Sequence, residues 1–527
     1  MKRTSLDRKK DHVRLLFPVC IAAVSLTASG ATLARDFVIS GGISTGYEFD
    51  DRKYDDEDAD QEQQQEEAGE SPADPELQQD LTETETETDN RDERYSRVRV
   101  APLIKLTSTA PRDRAELSYS PSFWYDFEDS DNNVDHDLFG SFSRFFAERW
   151  QVTLADRYRL TDEHRYEDGP TAGTAEATEV TETEDVEAVR LSDSDTRRRY
   201  WTNDLSLGSV YNYAQDSEFS LGYSYNILKN IDTDEIRTYE DFDRHKFGAE
   251  VGHRFDPIWK LNVSGSFVRG LFDETESDDE PTDEEELEKD LNEYSAGTIL
   301  QARLLEYHLY SLSYNYFGVY FDAEERNNTY IHDITLGWQW DFARDFVFGL
   351  GAGPTHVETE GQGGEWGYNA NVLLTYTFER GTVSFTARRG YEVLNFTGTE
   401  EDDGLREYWT ANLNLGYRLM NDLSADLFAG YRNEDQDVTT AVLVDQETTG
   451  ETELITETET SELITETETL NRERYLAGGR LTYSFAEAYK LVLSYGYIRQ
   501  ESELRDDSFD EHRVGLTLYF ETEMFKW

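Results

Sequence analysis

The chain has 527 residues and a formal net charge of -61, yet aromatic side chains make up 13% of it. An acidic chain that stays unfolded rarely carries so many aromatics, and so negative a chain is a poor partner for nucleic acid. Its one cysteine, Cys20, lies in the N-terminal apolar stretch, so beyond that stretch no disulfide or thiolate metal site holds the fold.

Residues 1–34 have the layout of a secretory signal: basic Lys2, Arg3, Arg8, Lys9, Lys10 and Arg14 ahead of the apolar run Leu15 to Ala28, then small residues at Ser29-Gly30-Ala31 and Thr32-Leu33-Ala34. The run is too short to span a membrane as a helix. Val19, before Cys20, is not the small residue a lipid-anchored signal places there. Residues 35–527 contain no stretch apolar enough for a transmembrane helix, which leaves a soluble exported protein or a barrel that spans by strands.

From residue 35 the sequence alternates with period two, the pattern of strands with one apolar face. Phe37, Ile39, Ile43, Tyr47 and Phe49 oppose Ser40, Gly42, Ser44 and Gly46. Val98, Val100, Pro102, Ile104 and Leu106 oppose Arg97, Arg99 and Lys105. Leu117, Tyr119, Pro121, Phe123, Tyr125 and Phe127 oppose Glu116, Ser118, Ser120, Ser122 and Asp126. In 136–146 two apolar sets compete for the outer face, Leu138, Phe142 and Phe146 against Phe139 and Phe145. About 20 such segments (18 to 22) follow one another, each long enough for a tilted membrane strand of about 9 to 11 residues.

The connections alternate as well. Tight turns are expected at Ala110-Pro111-Arg112-Asp113, Ala147-Glu148-Arg149, Asp256-Pro257, Ala343-Arg344-Asp345, Glu379-Arg380-Gly381, Asn421-Asp422 and Ala486-Glu487. Longer polar connections lie between them, including acidic tracts near 50–93, 161–196, 273–290 and 433–471, which hold 56 acidic residues against 6 basic ones. Runs such as Thr82-Glu83-Thr84-Glu85-Thr86-Glu87 and a doubled Glu-Leu-Ile-Thr-Glu-Thr-Glu-Thr at 453–460 and 462–469 bury too little apolar surface to fold alone and are expected as mobile external loops. Short turns on one side and long loops on the other predict an all-β fold, a transmembrane antiparallel up-and-down barrel with periplasmic turns and extracellular acidic loops. Aromatics near the turns, among them Phe145, Phe146, Trp150, Phe255, Trp259, Trp338, Trp340, Phe342, Phe346, Phe485 and Tyr489, fit a headgroup-level girdle. The last strand ends at Phe520 or at Trp527, and a terminal aromatic is the expected signal for the barrel assembly machinery.

The segments Leu117-Ser118-Tyr119-Ser120-Pro121-Ser122-Phe123, Asp135-His136-Asp137, Arg149 to Tyr158 and Arg513-Val514-Gly515-Leu516-Thr517-Leu518 resemble a family of outer-membrane β-barrel porins found in exopolysaccharide and exosortase-type gene neighbourhoods. The resemblance implies a Gram-negative outer membrane and a link to polysaccharide export.

In a barrel the polar face lines the lumen. It carries Arg97, Arg99, Lys105, Arg114, Arg157, Arg159, Arg244, Lys246, Arg254, Lys260, Arg388, Arg406, Arg418, Arg432, Arg474, Arg480 and Arg513 against fewer acids, among them Glu116, Asp126, Asp204, Glu250, Asp333, Asp341, Glu392 and Asp426. Arg97, Arg99, Arg157, Arg159, Arg244, Arg388, Arg418 and Arg480 are the candidate pore-lining residues, since fixed positive charge favours anions. The same residues could equally form cross-strand ion pairs that brace the wall.

Other chemistry is thinly represented. Asp129-Ser130-Asp131-Asn132-Asn133-Val134 has Val where a calcium loop has Gly, and reads as a turn. The histidines at 136, 164, 245, 253, 308, 332, 356 and 512 show no ligand spacing, so no metal or other cofactor is expected. His136 between Asp135 and Asp137 is the one fragment of a catalytic group, and no nucleophile accompanies it. Gly349, Gly351 and Gly353 alternate within a strand and are expected to thin the wall at the lumen. The expected function is therefore non-enzymatic: a porin-like channel with a wide, somewhat basic, water-filled lumen, passive or linked to polysaccharide export. The alternative is a surface structural or adhesion barrel acting through its acidic loops. Expected partners are outer-membrane lipid and lipopolysaccharide, with anionic polysaccharide or small solutes as cargo; the acidic loops could also gather divalent cations.

Overall fold

The computed structural model describes residues 35–54, 93–128, 130–161, 199–231, 240–273, 289–323, 326–361, 363–396, 404–444, 462–503 and 508–527, with the backbone alone for 93, 437–444 and 462–469. The expected signal segment, His164, most of the first three acidic tracts and 445–461 of the last lie outside the described residues.

The described chain forms twenty strands. The first ten are β1 (Asp36–Tyr54), β2 (Glu93–Ala110), β3 (Asp113–Asp126), β4 (Asn132–Ala147), β5 (Trp150–Thr161), β6 (Tyr200–Ala214), β7 (Ser217–Asn230), β8 (Phe242–Arg254), β9 (Trp259–Phe272) and β10 (Leu291–Leu305). The rest are β11 (His308–Phe321), β12 (Thr329–Ala343), β13 (Phe346–Thr359), β14 (Gly363–Phe378), β15 (Gly381–Leu394), β16 (Gly404–Arg418), β17 (Leu423–Val444), β18 (Glu462–Ala486), β19 (Tyr489–Ser502) and β20 (Phe509–Lys526). Each pairs antiparallel with the next and β20 pairs with β1, so the sheet closes. Closure leaves no strand edge unpaired, the condition for crossing lipid without unsatisfied backbone groups.

The alternation read from the sequence becomes an inside and an outside. Phe123, Leu336 and Trp366 are 50%, 66% and 76% exposed on the outer face, values that a water-soluble sheet would bury and that a lipid-facing wall requires. The register also resolves 136–146. Outward Tyr119 opposes Leu138 and Ala115 opposes Phe142, so Leu138, Phe142 and Phe146 share the outer face while Phe139 and Phe145 fall on the inner one.

Every even-numbered strand from β2 to β18 is followed by a turn of two to four residues. All seven expected turns are among them. Two others, at Gln215-Asp216 and Glu306-Tyr307, carry neither proline nor glycine and were not marked by composition. Asp216 supplies the left-handed conformation of its turn (φ 54°), which aspartate tolerates better than most residues. The acidic tracts follow β1, β5, β9 and β17, all at the rim opposite these turns. The last tract departs from expectation, because Asp437–Val444 and Glu462–Thr469 pair as a continuation of β17 and β18. Their threonines, valines and leucines suit an extended ladder, so the connection shrinks to 445–461.

At the seam β20 outlasts its best alternation. It leaves β19 at Phe520 but continues against β1 to Lys526, and Trp527 exchanges backbone hydrogen bonds with Phe37 (2.9 and 3.1 Å) and stacks on its ring at 5.5 Å. The pairing of β20 with β1 therefore runs past Phe520 as far as Trp527. A bulge between Ile39 and Ser40 leaves Met524 unopposed, and its thioether lies over Gly41, where any Cβ would collide with it.

Candidate functional site

Strand register places the whole predicted cationic set on one inner face, because each of these residues alternates with the exposed apolar ones. The eight candidate pore residues are dispersed over that face and do not form a single ring. Arg97 is buried, its Nε 2.8 Å from Asp126 and its guanidinium 4.1 Å from the Trp124 ring. Arg99 donates to Ser122. Arg157 and Arg159 share Asp137, at 2.6 and 3.5 Å. Arg244 lies against the Phe396 ring at 5.1 Å, and Arg480 opposes Asp426 across β17 and β18. Arg388 and Arg418 are exposed. The bracing reading thus describes several of the eight, and the lumen-lining reading describes Arg388 and Arg418 best.

Toward the outer rim the inner face divides into two sectors. From β16 through β20 to β3 it is ionic. Glu434 receives Arg406 (3.0 Å), Arg432 (2.7 Å) and Arg472 (3.2 Å), and Arg432 also reaches Glu392. Across the seam Arg52 meets Glu511 at 2.8 Å and lies 4.3 Å over Phe509, while Arg513 bridges Glu511 (2.7 Å) and Asp50 (3.2 Å). Interleaved carboxylates and guanidinium groups on neighbouring strands pair with one another, which is what permits such burial.

From β6 to β12 the same level is apolar. Tyr200, Leu228, Phe242, Val268, Leu291, Val319 and Ile331 are each at most 3% exposed. The residues after β15 join this sector from the opposite wall. Phe396 packs edge-on to Phe242 (5.2 Å) and stacks on Phe272 (5.6 Å), occupying the space that a side chain at Gly270 would fill. Buried Asn395 donates to Glu293 of β10 at 2.8 Å. Strands five to seven places apart are therefore joined across the barrel at its outer end. At that end the wide, water-filled lumen expected from the sequence is crossed by an apolar contact, and its cause is the apolar lining, which gains by packing against another apolar wall.

The glycine-alternating strand behaves as expected. Gly349, Gly351 and Gly353 face inward, and a Cβ at Gly353 would overlap the Ile334 carbonyl. β12 and β14 consequently approach over β13, where Thr335 and Asn369 hydrogen-bond at 2.7 Å and Asn369 and Thr355 both donate to Asp333. The His136 fragment is split: His136 faces outward against Tyr119, and Asp137 faces inward. Among the described residues no group of three or more His, Cys, Asp or Glu could hold a metal. Asp129 lies outside the described residues, and Ser130 beside it adopts a turn conformation (φ 54°).

Sequence reasoning missed Asn395, Phe396, Glu434 and the Arg52–Glu511 pair. Strand parity could have found the last two, since Glu434 alternates with Arg432 and Glu511 with Arg513.

No family model matches the chain, and no curated protein matches it. Among solved structures, the siderophore receptor PirA from Pseudomonas aeruginosa is similar at 10% identity over 92% of this chain and 80% of that one, with a TM-score of 0.44. OpdQ from Pseudomonas aeruginosa is similar at 9% over 92% and 98%, with a TM-score of 0.36. A BenF-like porin from Pseudomonas fluorescens Pf-5 is similar at 7% over 92% and 99%, with a TM-score of 0.39. Likeness at this level establishes neither family nor cargo. What the chain's own geometry establishes, over the described residues, is a closed, twenty-stranded antiparallel β-barrel with the apolar outer face of a barrel that spans an outer membrane, and with its arginines within.

Proposed function

We propose that the protein is a channel for anionic solutes across the Gram-negative outer membrane, passive or linked to the export of an acidic polysaccharide. The observation that carries this reading is the charge of the inner wall. Arg114, Arg388 and Arg418 stand exposed on it, and the Glu434 cluster sets three guanidinium groups against two carboxylates. Fixed positive charge along a confined path lowers the barrier for anions and raises it for cations. The narrower reading, polysaccharide export, rests on the resemblance at Leu117–Phe123 and Arg513–Leu518. The strand that closes on Trp527 is the natural signal for the barrel assembly machinery in this reading.

Reversal potentials in planar bilayers under a salt gradient test the proposal. Anion preference is expected, and the triple variant Arg388→Glu, Arg418→Glu, Arg480→Glu should shift the potential toward cations. A cation-selective native channel would sink it. The packed apolar sector at the outer end favours one second reading, a surface structural or adhesion barrel whose lumen is incidental. A complete lack of conductance, in the native protein and after Phe396→Ala, selects that reading.

A further inference from the structure

All seven described histidines, at 136, 245, 253, 308, 332, 356 and 512, fall on the outward, lipid-facing side of the wall. Four repeat one arrangement. Tyr119–His136, Tyr223–His245 and Tyr314–His332 join phenol oxygen to Nδ1 at 3.0 Å, and Tyr495–His512 does so at 3.1 Å. In each, the tyrosine opposes residue 138, 247, 334 or 514 of the next strand, and the histidine stands two places closer to the outer rim. The hairpins concerned are β3–β4, β7–β8, β11–β12 and β19–β20. The missing member of this four-strand period is β15–β16, where Arg389 and Glu407 take the equivalent places as an ion pair and Tyr391 donates to Glu407 at 2.8 Å.

Height gives the ring its meaning. His136, His245 and His332 lie nine to eleven residues above the turn ends of β4, β8 and β12. At about 2.5 Å of height per tilted residue they stand about 23–28 Å above those turns. That matches an apolar band about 25 Å tall, so the ring sits at the headgroup level of the outer leaflet. Recurrence every four strands, broken only at β15–β16, suits a lipid annulus; a protein partner would contact one side.

We propose that these Tyr–His pairs bind the phosphate groups of the phosphorylated glycolipid of the outer leaflet. When Nδ1 accepts the tyrosine proton, Nε2–H is left to donate outward. When the ring is protonated, Nδ1–H donates to the phenol oxygen, the tyrosine hydroxyl is released as a second outward donor, and the pair gains positive charge. Histidine makes this change between pH 5 and 8, and charge-assisted bonds to phosphate are the stronger kind.

The neighbouring charges differ from pair to pair. Arg199 donates to Val134 beside His136. Arg269 opposes His245 but is held by Asp290 (3.0 Å) and Asp322 (2.7 Å), Asp243 lies two residues outward, and Tyr225 stacks on the ring. His356 opposes His332, with Glu358 beyond it and Tyr316 against the ring. Asp51 opposes His512, with Asp510 on its own strand and Tyr497 against the ring. Only the first site therefore brings a guanidinium near its histidine without a carboxylate between them, and His512, flanked by carboxylates, is the weakest.

The test uses the full folded protein in vesicles of phosphatidylcholine alone, with one-tenth lipid A, or with one-tenth phosphatidylglycerol, at pH 5.5 and 8.0, reading the heat-modifiable gel shift. Lipid A is expected to raise the unfolding midpoint by several degrees more at pH 5.5 than at pH 8.0, and phosphatidylglycerol, a phosphodiester, by less. The quadruple variant His136→Gln, His245→Gln, His332→Gln, His512→Gln should lose this increment, while His253→Gln with His308→Gln, near the turns, should keep it. Equal midpoints with and without lipid A at both pH values, or an increment that survives the quadruple variant, overturns the proposal. Should that variant not fold, native mass spectrometry of the unaltered protein decides: more lipid A retained at pH 5.5 than at 8.0 supports the ring, and equal retention overturns it.

Discussion

At the outer end of the inner wall, the β6–β12 sector and the β16–β3 sector solve the same burial problem with opposite chemistry. The first buries Leu228, Phe242 and Val319 completely, a non-directional attraction that draws Phe396 across from the far side. The second buries Arg406, Gln500 and Glu511 to the same degree but through directed bonds, each carboxylate answered by a named guanidinium. The apolar sector can release and re-form a contact by parting two surfaces. Opening the ionic sector would expose or orphan charges together, so it is the stiffer half of the mouth.

The largest effect is expected where that difference is sharpest. Glu434→Ala leaves Arg406, Arg432 and Arg472 without the carboxylate they share, and breaking a buried pair from one side costs about 3–5 kcal/mol. Urea midpoints in lipid vesicles check this, and a loss under about 1 kcal/mol would mean that water reaches the cluster. Phe242→Ala, in the apolar sector, should cost about 3 kcal/mol from lost transfer energy and the cavity left behind. Because Phe242 also seats Phe396, its single-channel conductance should rise as stability falls, whereas Glu434→Ala should change selectivity before size.

Phe396→Ala sharpens the comparison with a smaller effect. The ring is half-buried and lies two residues past the end of β15, so about 1–2 kcal/mol is at stake. Conductance is expected to increase with little change in reversal potential. Unchanged conductance would show that the cross-barrel contact does not narrow the conducting path.

How much of this was legible beforehand depended on distance in the sequence. Strand count, seven turns and the inward parity of Arg97 through Arg513 follow from local alternation, because a side-chain period of two assigns faces without knowledge of partners. The contact of Asn395 and Phe396 with Glu293 and Phe242 joins strands five to seven places apart, and no local period encodes it. The Gln215-Asp216 and Glu306-Tyr307 turns were not among those expected, although Asp216 is an ordinary turn residue. The paired continuation of β17 and β18 was hidden by acidic composition, although its threonines and valines alternate well enough to extend a ladder. The Tyr–His ring was written openly, in Leu221-Gly222-Tyr223, Leu312-Ser313-Tyr314 and Leu493-Ser494-Tyr495, but its meaning needs the register that sets each histidine beside its tyrosine.

The smallest stability effect should accompany the most informative change in transport. Arg388 and Arg418 are exposed on the inner face of the same wall that carries the buried Arg406. Replacing both by serine should alter stability by no more than about 0.5 kcal/mol, as for other exposed positions. If the wall selects through its exposed charge, this double variant weakens anion preference while leaving conductance size intact, and low salt enlarges the difference because screening is then weakest. If the buried clusters set the potential instead, the double variant matches the native channel at every salt concentration, and selectivity moves only when Glu434 or Arg432 is changed. The two outcomes assign the filter either to the mobile, solvated cations of the wall or to its rigid ionic sector.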